Sequence, residues 1–203
     1  MAEARLYGFV DAAYLAGRDA AQLTRTLIAG GVDILQVRAK ELSHADLVTL
    51  ALAVVRVAHR AQVPVIVNDD IEAAFESGAD GVHLGQEDWA ATSRDRLTNM
   101  RLVGISTHSL EQALRAERDG ADYIGVGPVF ATATKPHVKP VGLELVKEVA
   151  GRVAVPFFAI GGITPEKLDD VLAAGATRVA VVSAILTASD VEEAAMTFRR
   201  RLA

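Results

Sequence analysis

The sequence has 203 residues, of which 51% are hydrophobic and 23% charged, a composition typical of a globular protein rather than a disordered chain. No apolar run approaches the roughly 18 residues of a membrane-spanning helix, and the absence of cysteine excludes disulfides and thiolate metal sites. The net charge of −5 argues against nucleic acid or an anionic membrane as the main partner, because both bind broad basic surfaces. A small anionic ligand, which needs only a few local cations, remains allowed.

Short apolar runs alternate with segments of helical periodicity along the chain. The runs predict eight strands, at 6–10, 34–37, 65–68, 81–84, 102–106, 123–126, 157–160 and 178–182. A helix is predicted over 43–60, where Ser43 and Asp46 have the spacing of a capping box. Thr164 before Pro165 indicates a second helix start.

An internal repeat places a glycine and two turn residues before every second predicted strand. Its four copies begin at Gly31, Gly78, Gly120 and Gly175. A glycine in this position supplies the left-handed residue that ends a helix. Eight strand–helix units with apolar strands predict an α/β fold, a single (β/α)8 TIM barrel over residues 1–203, with an open doubly wound sheet as the alternative.

Polar residues follow the second predicted strand, where the active sites of such barrels lie. Alternation along an extended segment points Gln36, Arg38 and Lys40 to one side, and such a group suits an anion such as pyrophosphate. Solvated charges at the start of a loop are the alternative for Arg38 and Lys40.

Carboxylates follow the third and fourth predicted strands. Asp69, after Asn68, and Asp88 leave neighbouring strands and could share one Mg²⁺ ion, which usually takes one or two carboxylates plus phosphate oxygens and water. Turn chemistry is the alternative for Asn68 and Asp69. His83, alone within a strand, is more typical of a packed or hydrogen-bonded side chain than of a catalyst.

The later loops carry hydroxyls, a lysine and glycines. Ser106 ends the fifth predicted strand and could equally cap the next helix, and no third partner completes a Ser/His/Asp triad with it. The long sixth loop holds Thr132, Thr134 and Lys135, whose donors suit phosphate oxygens, unless it is an ordinary exposed loop. Gly161 and Gly162 after the seventh strand, with the turn 182–183 after the eighth, are typical of a phosphate site.

In this order the motifs resemble the thiamine phosphate synthase family over nearly the whole chain. They are QxRxK at 36–40, Asn68-Asp69, GVHLGQxD at 81–88, GxSxH at 104–108, GxGPxFxTxTK at 125–135, IGGI at 160–163 and VSAI at 182–185. The resemblance implies a barrel enzyme that joins a pyrimidinylmethyl pyrophosphate to a thiazolylethyl phosphate.

The resemblance also implies roles for residues. Asp69 and Asp88 would hold Mg²⁺, and pyrophosphate would be bound by Arg38, Lys40, Asn68 and Lys135. Gln36 and Ser106 would face the pyrimidine substrate, with His83 also among the substrate-binding residues. Thr132, Thr134, Gly161 or Gly162, and Val182-Ser183 would hold the thiazole phosphate. Arg38, Lys40, Ser106 and Lys135 are the expected catalytic residues.

The chain departs from the family pattern at three places. Asp70 stands where the family often has a basic residue, the first strand matches loosely, and His137 replaces an expected acid. The nearest alternative function is that of a related thiazole tautomerase. The sixth loop of that family is typically Gly-His-x-Phe, whereas this chain has Gly127-Pro128-Val129-Phe130. A non-catalytic phosphate-binding barrel and a phosphosugar isomerase or aldolase are further alternatives.

The sequence also gives expectations about location and assembly. The N-terminal segment lacks a basic region followed by a long apolar stretch, so we expect no signal peptide and a cytoplasmic protein. The expected partners are the two small phosphorylated substrates, without nucleic acid or membrane. A homo-oligomer is allowed, and the sequence does not determine it.

Overall fold

The computed structural model describes residues 3–132 and 138–202, and its eight parallel strands close into a barrel in chain order. The strands are β1 Leu6–Asp11, β2 Ile34–Arg38, β3 Val65–Asn68, β4 Gly81–Leu84, β5 Leu102–Thr107, β6 Tyr123–Val126, β7 Phe157–Ile160 and β8 Val179–Ala180. Closure comes from the pairing of β1 with β8, in which Leu6 lies opposite Val179. The predicted (β/α)8 TIM barrel is confirmed, and the open sheet is excluded.

Helices follow the strands around the outside of the barrel. They are α1 Ala20–Ala29, α2 His44–Ala58, α3 Ile71–Ser77, α4 Gln86–Ala91, α5 Leu110–Arg118, α6 Gly142–Ala150, α7 Pro165–Ala173, α8 Ser183–Leu186 and α9 Val191–Arg201. Short 3₁₀ turns lie at Ala12–Tyr14, His59–Ala61 and Arg94–Leu97. Within the described part of the chain, no helix is long and apolar enough to cross a membrane.

The helix boundaries follow from local chemistry. The Ser43 side chain accepts a hydrogen bond from the Asp46 amide, so the predicted cap of α2 is confirmed. The helix ends at Ala58 rather than Arg60, because the backbone tightens into a 3₁₀ turn that Gln62 closes in the left-handed conformation. Thr164 is the N-cap of α7, with Pro165 in the first turn.

The eighth strand is shorter than predicted. The sequence predicts a strand over 178–182, but β8 covers only Val179 and Ala180. Val181 still donates its amide to the Tyr7 carbonyl, whereas Val182 has a φ of −108° and a ψ of −87°, which is not extended. The chain turns there, and α8 begins at Ser183.

The glycine repeat lies at the amino-terminal ends of the even-numbered strands, at the bottom of the barrel. Its four glycines all have positive φ, as predicted: Gly31, Gly78, Gly120 and Gly175. In three copies the following aspartate accepts a hydrogen bond from the backbone of the preceding strand. Asp33 Oδ2 binds the Leu6 amide, Asp80 Oδ2 the Val65 amide and Asp122 Oδ2 the Val103 amide. These carboxylates therefore fix neighbouring strands to one another at the end opposite the candidate site.

Aromatic side chains from β1, β6 and β7 fill the barrel interior. Tyr7, Tyr123 and Phe158 are almost fully buried, and their rings meet edge to face at centroid distances of 5.2–5.9 Å. Gly104 makes room for them, because a Cβ there would lie 2.0 Å from Cζ of Tyr123. The aromatic layer forms a floor on which the cavity at the mouth of the barrel rests.

Candidate functional site

A cavity opens at the carboxyl ends of the strands, as expected for this fold. Most of the residues selected from the sequence line it: Gln36, Arg38, Asn68, His83, Ser106, Thr132, Gly161, Gly162, Val182 and Ser183. Residues from most strands and from the loops after them therefore face one space. Lys40, Asp69 and Asp88 do not line this cavity, and Thr134 and Lys135 lie outside the described residues.

Arg38 is held at the mouth by a buried carboxylate. Its Nη1 donates to Oδ2 of Asp11 at 2.7 Å, and Asp11 is only 1% exposed. The other oxygen of Asp11 accepts from the Ala13 amide. Both aspartate oxygens are thus used, and Arg38, which lines the cavity, has further N–H donors besides the one that Asp11 occupies. Asp11 itself was not selected from the sequence.

Lys40 lies in the turn after β2 rather than in line with Gln36 and Arg38. The strand ends at Arg38, so the predicted alternation does not extend to Lys40. Its Nζ lies 3.7 Å from Oδ2 of Asp69, and both side chains are substantially exposed. The prediction that three side chains point to one side therefore holds for Gln36 and Arg38 as cavity residues, while Lys40 reaches the rim beside β3.

Asp69 occupies a constrained position directly after β3. Its φ is +65°, a left-handed conformation that aspartate tolerates better than most residues. The Asp69 amide donates to the His83 carbonyl on β4, and Asn68 Nδ2 donates to Oδ2 of Asp69 at 2.6 Å. The backbone turn directs this carboxylate to the rim, between Lys40 and the cavity residue Asn68.

Asp88 lies in the first turn of α4, directly after β4. Its Oδ2 would be 3.2 Å from a Cβ built on Gly85, so the carboxylate folds back over the end of the strand. Within 3–132 and 138–202, no three His, Asp or Glu side chains group together as metal ligands. Asp69 and Asp88 thus offer two carboxylates that follow neighbouring strands, a donor set that fits Mg²⁺ completed by phosphate and water rather than a site built entirely from protein.

Asp70 directs its charge away from this rim. Its Oδ1 accepts from the Ala73 amide and caps α3, and its Oδ2 lies 2.7 Å from Nδ1 of His44. Partial burial acts to raise the pKa of Asp70, but the Ala73 amide and His44 outweigh it and lower that pKa. The hydrogen bond with Asp70 likewise raises the pKa of His44. Asp70, the residue that departs from the family pattern, is therefore bound by His44 of α2 and by the Ala73 amide of α3.

Five side chains form a hydrogen-bonded chain across the floor of the cavity. Gln36 Nε2 donates to the Tyr7 hydroxyl at 2.9 Å, which lies 2.9 Å from the Tyr123 hydroxyl. The Tyr123 hydroxyl is 3.1 Å from Nδ1 of His83, and Nε2 of His83 is 2.9 Å from Oγ of Ser106. Burial raises the pKa of both phenols well above their ordinary value, so both keep their protons at neutral pH.

Ser106 is a cavity residue and not a helix cap. The cap of α5 is Ser109, whose side chain accepts from the Gln112 amide, so the capping alternative for Ser106 is wrong. Ser106 does contact a histidine, but Nδ1 of His83 faces the phenol of Tyr123 rather than a carboxylate. The arrangement is therefore not a Ser/His/Asp triad.

The sixth and seventh loops pack directly against each other. The Val129 and Phe130 amides donate to the carbonyls of Ile160 and Gly161. A Cβ on Gly161 would lie 2.4 Å from Cβ of Pro128, so only glycine fits this contact. Gly161 and Gly162 have φ values of +102° and +63°. Their backbone lines the cavity without side chains in the way, as a phosphate site requires.

Several cavity residues were not identified in the sequence. Tyr7 and Phe9 line the cavity and alternate along β1 with Asp11, the partner of Arg38, and this period-two spacing is the signal that could have found all three. Tyr123 on β6 resembles an ordinary core residue in the sequence. His108 also lines the cavity, and its Nδ1 makes a short contact with the Gly127 carbonyl.

Comparison with known proteins places the chain in a family. The family model described as thiamine monophosphate synthase matches residues 6–185. The thiamine-phosphate synthase of Chloroflexus aurantiacus is 43% identical over 196 residues, which cover 96% of this chain and 91% of the relative. The protein of the same name from Methanocella arvoryzae is 43% identical over 192 residues, covering 94% and 91%.

Solved structures agree with the sequence comparison. Thiamine phosphate pyrophosphorylase from Pyrococcus furiosus superimposes with a TM-score of 0.87 at 30% identity, over 98% of this chain and 95% of that one. A 3-hexulose-6-phosphate synthase reaches a TM-score of 0.69 at 21% identity, over 98% of this chain and 100% of that one, and this likeness shows the fold alone. With nearly its whole length matched, the chain belongs to the thiamine monophosphate synthase family.

Proposed function

We propose that the chain condenses 4-amino-2-methyl-5-pyrimidinylmethyl pyrophosphate with 4-methyl-5-thiazolylethyl phosphate, giving thiamine phosphate and pyrophosphate. It is a transferase of an alkyl group, of EC 2.5.1 type, acting in thiamine biosynthesis. The observation that carries this proposal is the nearly full-length family match together with one cavity lined by residues from both predicted groups, such as Arg38 for the pyrophosphate and Gly161 for the thiazole phosphate. The whole chain, 1–203, acts as one catalytic barrel.

The pyrophosphate end of the first substrate binds at the rim formed by β2 and β3. Arg38, fixed by Asp11, presents a planar set of donors suited to phosphate oxygens. Lys40 and Asn68 flank it, and both already contact Asp69. Lys135, from the sixth loop, is assigned to the same group from the family motif.

The pyrimidine ring and the thiazole phosphate occupy different sides of the cavity. Gln36 and Ser106, with His83 behind Ser106, face the pyrimidine from the floor. The thiazole phosphate is held by Thr132, Thr134, the backbone of Gly161 or Gly162, and the Val182-Ser183 turn. Gln36 and Ser106 come from β2 and β5, and the glycines follow β7.

Asp69 and Asp88 would hold one Mg²⁺ ion. The two residues follow the neighbouring strands β3 and β4, and the remaining ligands would be pyrophosphate oxygens and water. When bound, Mg²⁺ would neutralise negative charge on the pyrophosphate leaving group. Lys40, whose Nζ lies 3.7 Å from Oδ2 of Asp69, would add a second positive charge at the same rim for the pyrophosphate oxygens.

The reaction is dissociative and needs no protein nucleophile. The bond between the pyrimidinylmethyl carbon and the pyrophosphate oxygen breaks first, and both bonding electrons leave with the oxygen. The ring amino group stabilises the resulting cation, and the lone pair of the thiazole nitrogen then forms the new carbon–nitrogen bond. Arg38, Lys40 and Lys135 stabilise the charge that develops on pyrophosphate, and the cavity positions the nucleophile. The absence of a Ser/His/Asp arrangement at Ser106 accords with this chemistry.

The alternative functions fit this cavity less well. A tautomerase needs an acid or base in the sixth loop, and Pro128, which lines the cavity, has no proton to transfer. A non-catalytic phosphate-binding barrel has no need of Asp69, Asp88 and Lys135 together. A phosphosugar isomerase or aldolase would leave the Thr132-x-Thr134-Lys135 motif unexplained. We place the enzyme in the cytoplasm, with only small phosphorylated substrates as required partners and a homo-oligomer compatible with the reaction.

The test is product formation from both purified substrates. Thiamine phosphate forms when both substrates and Mg²⁺ are present, and it does not form when either substrate is omitted or a chelator is added. Asp69→Asn should weaken the apparent affinity for Mg²⁺. A correctly folded protein that binds both phosphates and makes no product would favour the non-catalytic barrel instead.

A further inference from the structure

The hydrogen-bonded chain below the cavity links Gln36 to Ser106 through three buried side chains. We propose that this chain runs in one direction, fixes neutral His83 with its proton on Nε2, and so makes Ser106 a hydrogen-bond donor to the pyrimidine substrate. Tyr7 and Tyr123 are then positioning residues that act through His83 and Gln36. The inference rests on the proposed function only in naming the substrate that Ser106 meets.

The direction is set at the Gln36 end. Its Nε2 carries only protons, so it donates to the oxygen of Tyr7 and cannot accept from it. Among the described residues, the one remaining hydrogen-bond partner of the Tyr7 hydroxyl is the oxygen of Tyr123, 2.9 Å away. Because Tyr7 is 2% exposed, its proton is directed to Tyr123 rather than to bulk water.

The proton of the Tyr123 hydroxyl is directed to His83. The Tyr123 oxygen accepts from Tyr7, and its own proton points at Nδ1 of His83, 3.1 Å away. Tyr123 is fully buried, so an undirected hydroxyl there would cost the free energy of an unpaired buried polar group. Nδ1 of His83 is therefore an acceptor, and the ring proton of neutral His83 lies on Nε2.

Nε2 of His83 then donates to Oγ of Ser106 at 2.9 Å. In the part of the chain that the structure describes, His83 is the hydrogen-bond partner of that hydroxyl, since Gln86 binds the carbonyl of Ser106 and not its side chain. The Ser106 proton is left to be donated to an acceptor in the cavity. If the chain ran in the opposite direction, Ser106 would donate to His83 and would offer only lone pairs to a ligand.

The experiment begins with the tautomer of His83 in the protein without substrate. With ring-¹⁵N histidine, the two nitrogens of a neutral imidazole have well-separated signals, and the five histidines are few enough to assign. His83→Gln identifies the signals of His83. We expect Nε2 protonated and Nδ1 unprotonated. A proton on Nδ1 in the unmodified protein would overturn the proposal, whether or not the protein makes thiamine phosphate.

Tyrosine variants then separate positioning from general stability. Tyr123→Phe removes the donor to Nδ1, so we expect the tautomer preference to be lost and KM for the pyrimidine substrate to rise roughly three- to tenfold. KM for the thiazole phosphate should change less. Tyr7→Phe removes the hydroxyl that connects Gln36 to Tyr123, so the preference for a proton on Nε2 should weaken there as well. Tyr14→Phe, at the remaining tyrosine of the chain, is the matched control and should change neither the tautomer of His83 nor KM for the pyrimidine substrate.

Two outcomes distinguish failure of the inference from failure of the proposed function. An unchanged tautomer and unchanged KM in folded Tyr123→Phe would overturn the positioning role while turnover continues. Absence of turnover in the unmodified protein would contradict the proposed function, whereas the tautomer measurement would still decide the direction of the chain. Should Tyr123→Phe not fold, the tautomer of His83 in the unmodified protein still decides between the two directions. Tyr7→Phe then tests whether Gln36 sets that direction, and an unchanged tautomer in folded Tyr7→Phe would overturn that role of Gln36.

Discussion

Arg38 on β2 and Asp11 on β1 form an ion pair at the mouth of the barrel, with 2.7 Å between Nη1 of the arginine and Oδ2 of the aspartate. The two residues are direct neighbours in the register of β1 and β2. The proposed pyrophosphate contact of Arg38 thus depends on a residue that does not itself line the cavity.

Replacing this carboxylate should therefore affect both stability and catalysis. Asp11→Asn leaves the partly buried guanidinium without its counter-charge, so we expect a loss of about 1–3 kcal/mol in the free energy of unfolding. The value of kcat/KM should fall by about tenfold, because Arg38 is no longer held in place. Urea unfolding and steady-state kinetics measure the two effects. Asp190→Asn, at the N-cap of α9, keeps a good capping residue and should change neither.

The proposed metal ligands can be tested without disturbing the backbone. Asn tolerates the positive φ of Asp69, so Asp69→Asn changes charge and little else. We expect activity to fall by about two orders of magnitude in Asp69→Asn and in Asp88→Asn, with a weaker apparent affinity for Mg²⁺. Asp70→Asn is the neighbouring control, since its carboxylate caps α3 and meets His44. Normal Mg²⁺ dependence in both Asp69→Asn and Asp88→Asn would refute the metal assignment.

Lys135 is predicted to act on the leaving group. Lys135→Ala should lower kcat on the order of 100-fold, as expected for loss of one group that stabilises developing charge. KM for the thiazole phosphate should change much less than kcat. The opposite pattern, a large rise in that KM with kcat retained, would assign Lys135 to the second substrate.

The space at Gly104 is required by the aromatic floor. In Gly104→Ala the new Cβ would overlap the ring of Tyr123, so we expect a loss of about 1–3 kcal/mol in the free energy of unfolding. Gly151→Ala is a matched control at the end of α6, where φ is −87° and the nearest atom to a Cβ is 3.7 Å away. That variant should keep or slightly raise the stability. Equal melting temperatures for the two variants would count against the packing explanation.

The buried phenols predict sensitivity to alkali. Burial raises the pKa of Tyr7 and Tyr123 in the folded state above the ordinary value of about 10. Their contribution to stability is fully present below that value and is lost as the pH rises toward the folded-state pKa. The free energy of unfolding should therefore fall above about pH 10, and less steeply in the double variant Tyr7→Phe, Tyr123→Phe. Parallel slopes for the two proteins would contradict this explanation.

The barrel could be predicted from the sequence because its signals are local. Apolar runs define the strands, and the glycines of the repeat mark the helix ends by a conformation that other residues adopt at a cost. Cavity residues such as Gln36 and Ser106 could be selected because they lie at strand ends or carry polar groups where the fold exposes them. Strand β8 was overestimated because apolar composition alone does not reveal that Val182 leaves the extended conformation.

The supporting residues could not be predicted, because their partners are distant in the chain. Tyr7 and Tyr123 meet across 116 positions, and both resemble core aromatics in the sequence. Asp11 pairs with Arg38 only through the register of β1 and β2. Lys40 was placed with the cavity residues by extending a strand alternation past the point where the strand ends.

The proposed reaction is tested most directly by following both products at once. With equal amounts of the two substrates and Mg²⁺, thiamine phosphate and pyrophosphate should form in a one-to-one ratio, and both should stop when the chelator is added. Release of pyrophosphate at an unchanged rate without the thiazole phosphate, or no product from a folded protein that binds both substrates, would contradict the proposed condensation.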